Sequence, residues 1–263
     1  MSSALTVRLL GCGSSGGVPR IGASGAEWGA CDPNEAKNRR TRCSILVSRG
    51  ETHVLVDTSP DMREQLIAAR CGKLDAVLFT HDHADQCHGI DDLRMVAQAM
   101  DRRVDIYADR ATLTGLRHRF AYCFETPKGS GYPPVVTGHE IAPLKAIEIA
   151  GVPVLPFDQD HGTMRTLGFR FGPVAYTSDA VAIPEASFAA LAGVECWIVD
   201  ALRYRPHPTH ANVETALLWI KRVRPKRAIL TNLHTDLDYR SLVRELPEGV
   251  EPAFDGMEIS LGI

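Results

Sequence analysis

The sequence predicts a mixed α/β (α+β) fold, with sheets that carry helices on their outside. Three observations lead there. Short runs rich in β-branched residues recur along most of the chain, and most end in a polar or turn residue, as strands do. Helical patterns stand between only some of these runs. The order is strands first, then strand–helix units, then strands, then strand–helix units again, which does not suit a simple doubly wound parallel sheet.

The expected strands are TVRLL (6–10), SILV (44–47), HVLVD (53–57), AVLFT (76–80), VDIYA (104–108), LGFRF (167–171), PVAYT (173–177), CWIVD (196–200) and AILTN. A helix is expected over 59–70, opened by Ser59 and Pro60, with Met62, Leu66, Ile67 and Ala69 as its apolar positions. A second is expected over 210–223, with Val213, Leu217, Leu218 and Ile220 on one broad face. The Gly- and Pro-rich stretch CFETPKGSGYPP (123–134) reads as a long surface loop and a candidate lid. No internal repeat or low-complexity segment interrupts the pattern. One domain spanning 1–263 is expected.

Apolar residues make up 44% and charged residues 23%, enough for a substantial core. The net charge of −3 offers no global pull on a polyanion, so nucleic acid is not the expected partner. No stretch approaches the ~20 apolar residues that span a bilayer. The start, MSSALTVRLLGCGSS, lacks the basic and apolar regions of a secretory signal. The seven cysteines are scattered and never in CxxC spacing, which fits a reduced, cytoplasmic protein without a disulfide framework or a four-cysteine zinc site.

The chemistry concentrates in THDHADQCHGIDDLR, directly after AVLFT. A strand that stops just before its ligands projects them from a rigid edge. His81 and His83 lie two apart and can point the same way in an extended turn. Asp85 adds a hard oxygen to the imidazoles. A lone HxH would read as a solvated loop; HxHxD after an apolar strand reads as a metal site. Three further candidates sit beside expected strands: His161 in DQDHG, Asp179 in AYTSD and His234 in LTNLH. Each alone passes for a cap or turn residue. Together they are how a metal site is assembled from distant sequence.

This set resembles the metallo-β-lactamase fold superfamily: HxHxDH after a strand, then His, Asp and His at long intervals. More narrowly, LLGCGSSGGVPRIG (9–22), NRRTRCSILV (38–47), HGIDDLR (88–94) and ALRYRPHPTH (201–210) are similar to the branch of phosphoribosyl 1,2-cyclic phosphate phosphodiesterases, with tRNase Z more distant. The resemblance implies a four-layer αββα sandwich and two divalent metal ions, zinc or manganese. His81, His83 and His161 would hold one, Asp85 and His234 the other, and Asp179 would bridge them. Gln86 stands where the family's last motif histidine would complete the second site. Its neutral amide oxygen is a weaker donor, so the second site is expected to be the harder or weaker one, with His88 as a substitute ligand in the alternative.

The implied reaction is hydrolysis of a small cyclic or nucleotide-like phosphodiester by a metal-bound hydroxide that Asp85 orients. His210 is the first choice for the general acid and His207 the alternative. In GCGSSGG, Gly16 and Gly17 can lay backbone N–H groups against a phosphate, although taken alone the stretch reads more simply as a flexible turn after the first strand. Among the arginines, Arg203 is the expected phosphate contact. Relatives often carry a cysteine cluster for a structural zinc near the first loop; WGACDP offers only Cys31, so that zinc is not expected. A tRNase Z-like endonuclease would need a basic RNA-gripping arm, which is missing. A non-catalytic nucleotide- or metal-binding relative, or a cofactor-biosynthesis protein of the pyrroloquinoline-quinone B type, stays open. A homodimer is expected from relatives whose cleft is shared across one.

Overall fold

The apolar runs form strands because both faces of each are covered. Along CWIVD, Cys196 and Ile198 join one core while Trp197 and Val199 join another. Alternate residues of a strand face opposite sides, so a doubly covered strand reads as a continuous apolar run. The computed structural model describes residues 4–262. In chain order the first half holds β1 (Leu5–Gly11), β2 (Arg20–Gly22), β3 (Gly25–Glu27), β4 (Ser44–Arg49), β5 (Thr52–Val56), α1 (Met62–Ala69), β6 (Ala76–Leu78), α2 (Ala84–Cys87), α3 (Leu93–Met100), β7 (Val104–Ala108), α4 (Arg110–Arg119), α5 (Ala121–Phe124) and β8 (Val136–Glu140). The second half holds β9 (Ile147–Ile149), β10 (Val152–Asp160), β11 (Arg165–Phe171), β12 (Val174–Thr177), α6 (Glu185–Ala190), β13 (Cys196–Asp200), α7 (Val213–Val223), β14 (Arg227–Thr231), α8 (Tyr239–Glu245), β15 (Val250–Pro252) and β16 (Glu258–Leu261).

Two seven-stranded sheets result, in the orders β16-β1-β4-β5-β6-β7-β8 and β15-β14-β13-β12-β11-β10-β9. Each follows the same plan. An antiparallel meander (β1-β4-β5, then β10-β11-β12) passes into parallel strands (β5 to β8, then β12 to β15). Parallel neighbours need crossovers, and the helices supply them. The inner faces pack Leu9, Ile45, Val56 and Leu78 against Phe169, Phe171, Tyr176 and Ile198. The outer face of the first sheet is covered through Leu66, Leu93, Val96, Leu113 and Leu116. That of the second is covered through Val213, Ala216 and Leu242. The layers are therefore αββα, as the sequence implied.

Trp197 is fully buried in the outer core of the second sheet, and its Nε1 donates to Thr177 Oγ1 at 2.9 Å. Truncating such a side chain costs about 3–5 kcal/mol. All nine expected strand runs lie on strands. The first expected helix is shorter than its pattern, Met62–Ala69, and Ile67 is exposed. In α7 the buried stripe is Val213 and Ala216, and Leu218 is exposed rather than on the core face. Asn212 starts that helix by accepting from the Thr215 N–H at 2.9 Å.

The 123–134 stretch begins in α5 and continues as irregular chain. Its Tyr132, Pro133 and Pro134 line a cavity of about 290 Å³ with Arg94, Ala97 and Gln98 of α3. None of the candidate metal ligands lines that cavity, where the loop leans on α3. No helix among the described residues is long and apolar enough to cross a membrane. All seven cysteines are free.

Candidate metal centre

The parallel strands of both sheets deliver their chemistry just beyond their carboxyl ends. Asp57 follows β5, His81 and His83 follow β6, Asp179 follows β12, Asp200 ends β13, and Asn232 and His234 follow β14. Strand ends in such sheets are where ligand sites are usually built.

His81, His83 and His161 converge. One ring nitrogen from each falls within 4.8 Å of the others. His81 and His161 are buried, while His83, just ahead of α2, is exposed, so the trio opens to solvent on one side. Hydrogen bonds on the far side of the rings select the nitrogens. Thr80 Oγ1 donates to Asp57 Oδ2 at 2.9 Å and leaves its lone pair for His81 Nδ1, also at 2.9 Å. The Thr80 N–H donates to Asp57 Oδ1 at 2.8 Å. His81 Nδ1 thus carries the proton, and Nε2 turns its lone pair to the cluster, buried and without a partner. Burial, with Asp179 opposing it, lowers the His81 pKa to about 3, so the ring is neutral, the form that binds metals. His161 Nδ1 lies 2.7 Å from the Thr209 carbonyl, which can only accept, and its Nε2 is freed in the same way. An orphaned, buried imidazole nitrogen facing two other imidazoles fits a divalent transition ion.

A second group is His161, Asp179 and His210. Asp179 holds a left-handed backbone at φ 56°, uncommon for a residue with a side chain. Burial opposes its charge, yet His210, His81 and His161 outweigh this and keep its pKa low. Asp85 lies outside both groups. Burial first, then the Asp179 charge, raise its pKa to about 6. Gln86 sits between the two carboxylates: its Nε2 donates to Asp179 Oδ2 at 3.1 Å and reaches Asp85 Oδ2 at 3.4 Å. Its Oε1 is buried without a partner. Turning the amide over would aim Oε1 at the carboxylates, which a cation between them would reward. Asp85, Asp179 and Gln86 therefore fit a second ion less well than the trio fits the first.

His210 Nδ1 lies 3.0 Å from Asp200 Oδ2, and its Nε2 lies 3.8 Å from Asp179 Oδ1. Burial works against its charge, but Asp200 and Asp179 prevail and raise its pKa to about 9. His207 stands beside it, ring centroids 5.1 Å apart, and its Nδ1 accepts from the Thr209 N–H at 3.3 Å. His234 lies outside both groups, with Nδ1 turned to Asp236. His88 is exposed, set edge-on to Phe120 at 5.7 Å, and also outside both groups. Arg203 donates to the carbonyls of Arg205 and Pro206. The Gly17 N–H donates to Ser14 O in a turn where Gly17 has φ 65°. Cys31 packs against Arg40 Nη1 and Leu237 O.

Three contributors have no counterpart in the sequence reading. Asp200 is the carboxylate partner of His210, and Asp57 and Thr80 orient His81. Asp57 and Asp200 both close apolar strands, the signal that singled out Asp179. Nothing in the sequence pairs either with its histidine.

The fold and this centre define a member of the β-lactamase superfamily: the family model described as "Beta-lactamase superfamily domain" matches residues 52–232, and the chain belongs to that family. It shares its fold with human tRNase Z, short form, at 18% identity and TM-score 0.70. The chain is 34% identical to a crystal structure of a new diphosphatase from the PhnP family, with TM-score 0.90 and coverage of 99% of this chain and 98% of that one. It is 20% identical to Zn²⁺-bound PqqB from Methylobacterium extorquens, with TM-score 0.76 and coverage of 97% and 100%. It is also 32% identical over 256 residues to the octanoyltransferase of Porphyromonas gingivalis, covering 95% of this chain but only 50% of that protein. The chain thus spans about half the length of this curated relative.

Proposed function

We propose that the protein is a metal-dependent phosphoesterase that hydrolyses a small cyclic or nucleotide-like phosphodiester. The observation that carries this reading is the trio of His81, His83 and His161, with its buried, unpartnered nitrogen. His81, His83 and His161 would hold the first divalent ion, zinc or manganese. Asp85 and Asp179, with Gln86 between them, would make a weaker second site, and His234, which the family resemblance assigns to that site, stands outside the groups with its Nδ1 turned to Asp236. When bound, such ions would supply polarisation of a phosphoryl oxygen and a water of lowered pKa.

The chain's own residues do the rest. Asp85 orients the attacking water. His210 Nε2, on the cleft side of a ring whose Nδ1 is held by Asp200, gives the leaving oxygen its proton. Thr209 O fixes His161 and the Asp57–Thr80 pair fixes His81, so the ligands need not reorganise. The diphosphatase neighbour, in the PhnP family, supports phosphorus as the electrophile. The acyl transfer named for the Porphyromonas relative belongs to a protein about twice as long. The clustered side chains here are imidazoles and carboxylates, ligands rather than acyl carriers.

The test is hydrolysis of bis(p-nitrophenyl) phosphate by metal-free protein and by protein supplied with Mn²⁺ or Zn²⁺. Turnover that appears with metal and is lost in His81→Ala is the expected result. Metal-loaded protein without turnover on any phosphodiester would overturn the reading and favour a binding protein.

A further inference from the structure

The three imidazoles of the trio are not held alike. His81 Nδ1 has Thr80 behind it, and His161 Nδ1 has the Thr209 carbonyl. Among the described residues no hydrogen bond reaches either ring nitrogen of His83, and its side chain is exposed. A ligating histidine is normally held through its other ring nitrogen, so the aim of His83 has to come from the backbone that carries it. That backbone starts at Asp82, between the two ligands. It runs into the four-residue α2, where the Gln86 and Cys87 N–H groups donate to His83 O at 3.1 and 3.0 Å.

The end of α4 grips this turn. Arg119, the last residue of α4, donates from Nη2 to Asp82 O at 2.5 Å and also to Asp82 Oδ2. The same carbonyl accepts from Cys87 Sγ at 3.3 Å. Arg119 reaches Asp82 by lying back along its own helix, with Nε 3.5 Å from Gly115 O. Gly115 leaves the space for this. A Cβ there would lie 3.0 Å from Asp82 Cγ and 3.4 Å from Arg119 Nη2, and nearer still to Asp82 Oδ2. Glycine inside a helix weakens it, and here its missing side chain is what admits the carboxylate. Phe120, next after Arg119, meets His88 edge-on, ring centroids 5.7 Å apart, and His88 closes the far end of α2. The end of α4 thus touches the metal-motif turn on both sides, ahead of His83 and beyond Cys87.

We propose that Arg119 and Gly115 are positioning residues for the metal ligand His83. They fix Asp82, and Asp82 sets the direction from which the His83 ring enters the trio, its centroid 4.5 Å from that of His81 and 5.1 Å from that of His161. This rests on the reading of the trio as a metal site. Neither residue touches the ion. The coupling runs through the main chain, so the donation to Asp82 O counts alongside the ion pair. The competing account is an ordinary surface pair, since the Asp82 and Arg119 side chains are 26% and 35% exposed. Such a pair adds little stability and has no bearing on a metal.

The test is Zn²⁺ affinity of the full chain, by competition with a chromophoric chelator, together with the visible absorption of the Co²⁺-loaded protein, which reports how the ion is coordinated. Arg119→Met keeps the stem and removes both donations. Gly115→Ala keeps every polar group and pushes Asp82 aside. Each is expected to weaken the tight ion about tenfold, the lower end of the range for partners that act behind a ligand, and to alter the Co²⁺ spectrum at saturating metal. Arg119→Lys, which can still donate to Asp82, should recover part of the affinity. Arg110→Met breaks the exposed pair with Glu140 at the other end of the same helix and should change neither readout. Affinity within about twofold of wild type in Arg119→Met, or a loss that Arg110→Met reproduces, overturns the assignment. Wild-type protein that binds no Zn²⁺ tightly would instead refute the trio as a metal site, and the role of Arg119 with it.

Discussion

Replacing Thr80 by valine keeps the side chain's volume and removes one oxygen. Thr80 is fully buried, and that oxygen stands between Asp57 Oδ2 and His81 Nδ1, 2.9 Å from each. Without it the Nδ1–H of His81 has no acceptor, and the ring loses the contact that aims Nε2 at the cluster. Outer-shell partners of this kind are worth about 10–100-fold in metal affinity. At room temperature that is about 1.4–2.7 kcal/mol. The metal-free protein is also expected to lose about 1–3 kcal/mol, because two buried polar atoms lose a partner together. Competition for Zn²⁺ against a chromophoric chelator measures the first effect, and urea unfolding in the absence of metal measures the second. Zinc affinity within about twofold of wild type would refute the claim that Asp57 and Thr80 set the His81 ligand.

Gln86→His should tighten the second ion at least about tenfold, since imidazole is a stronger donor to Zn²⁺ than an amide oxygen; metal titration that shows no stronger second event would speak against Gln86 as the weak point. His210→Ala should lower turnover of an alkyl phosphodiester by about 10²–10⁴, and that of bis(p-nitrophenyl) phosphate far less, because p-nitrophenolate leaves without a proton. Equal losses on both would remove His210 from the role of acid. Asp255 is buried under donors from Cys12 and Thr41, and burial raises its pKa to about 6. The folded state therefore keeps a proton that the unfolded state releases from about pH 4 upward, and stability falls as pH rises from about 4 to about 6. The stability difference between wild type and Asp255→Asn should accordingly shift against wild type, by up to about 2–3 kcal/mol, between pH 4.5 and pH 7.5 in urea unfolding; a constant difference would contradict this.

Most of the sheet scaffold was legible because strands covered on both faces are written as unbroken apolar runs. Where that signal weakens, the reading missed strands. β10 carries Pro153 and Pro156, which argue against an interior strand, yet it pairs on both sides. β15 and β16 are short. Polar α4 escaped as well; it is capped by Asp109, which accepts from the Thr112 N–H at 2.7 Å. Ligand types beside strands named the candidates, the family resemblance implied His81, His83 and His161 as one set, and the fold brings one ring nitrogen of each within 4.8 Å of the others. Two features did not follow: the Asp200–His210 pair and the Asp57–Thr80 support. These are side-chain contacts made between loops that the fold brings together, and residue type at a strand end does not name its partner. The four-residue turn that carries Asp85 and Gln86 shows the same limit. The motif names the residues, but only the fold shows Gln86 Nε2 set between the two carboxylates.

The most direct test of the account is calorimetric titration of metal-free protein with Zn²⁺, in wild type and in His161→Ala. The account expects one tight event and one markedly weaker event in wild type, with the tight event lost in the variant. Absence of a tight event in wild type, or a tight event that survives the loss of His161, would contradict the assignment of the metal to His81, His83 and His161.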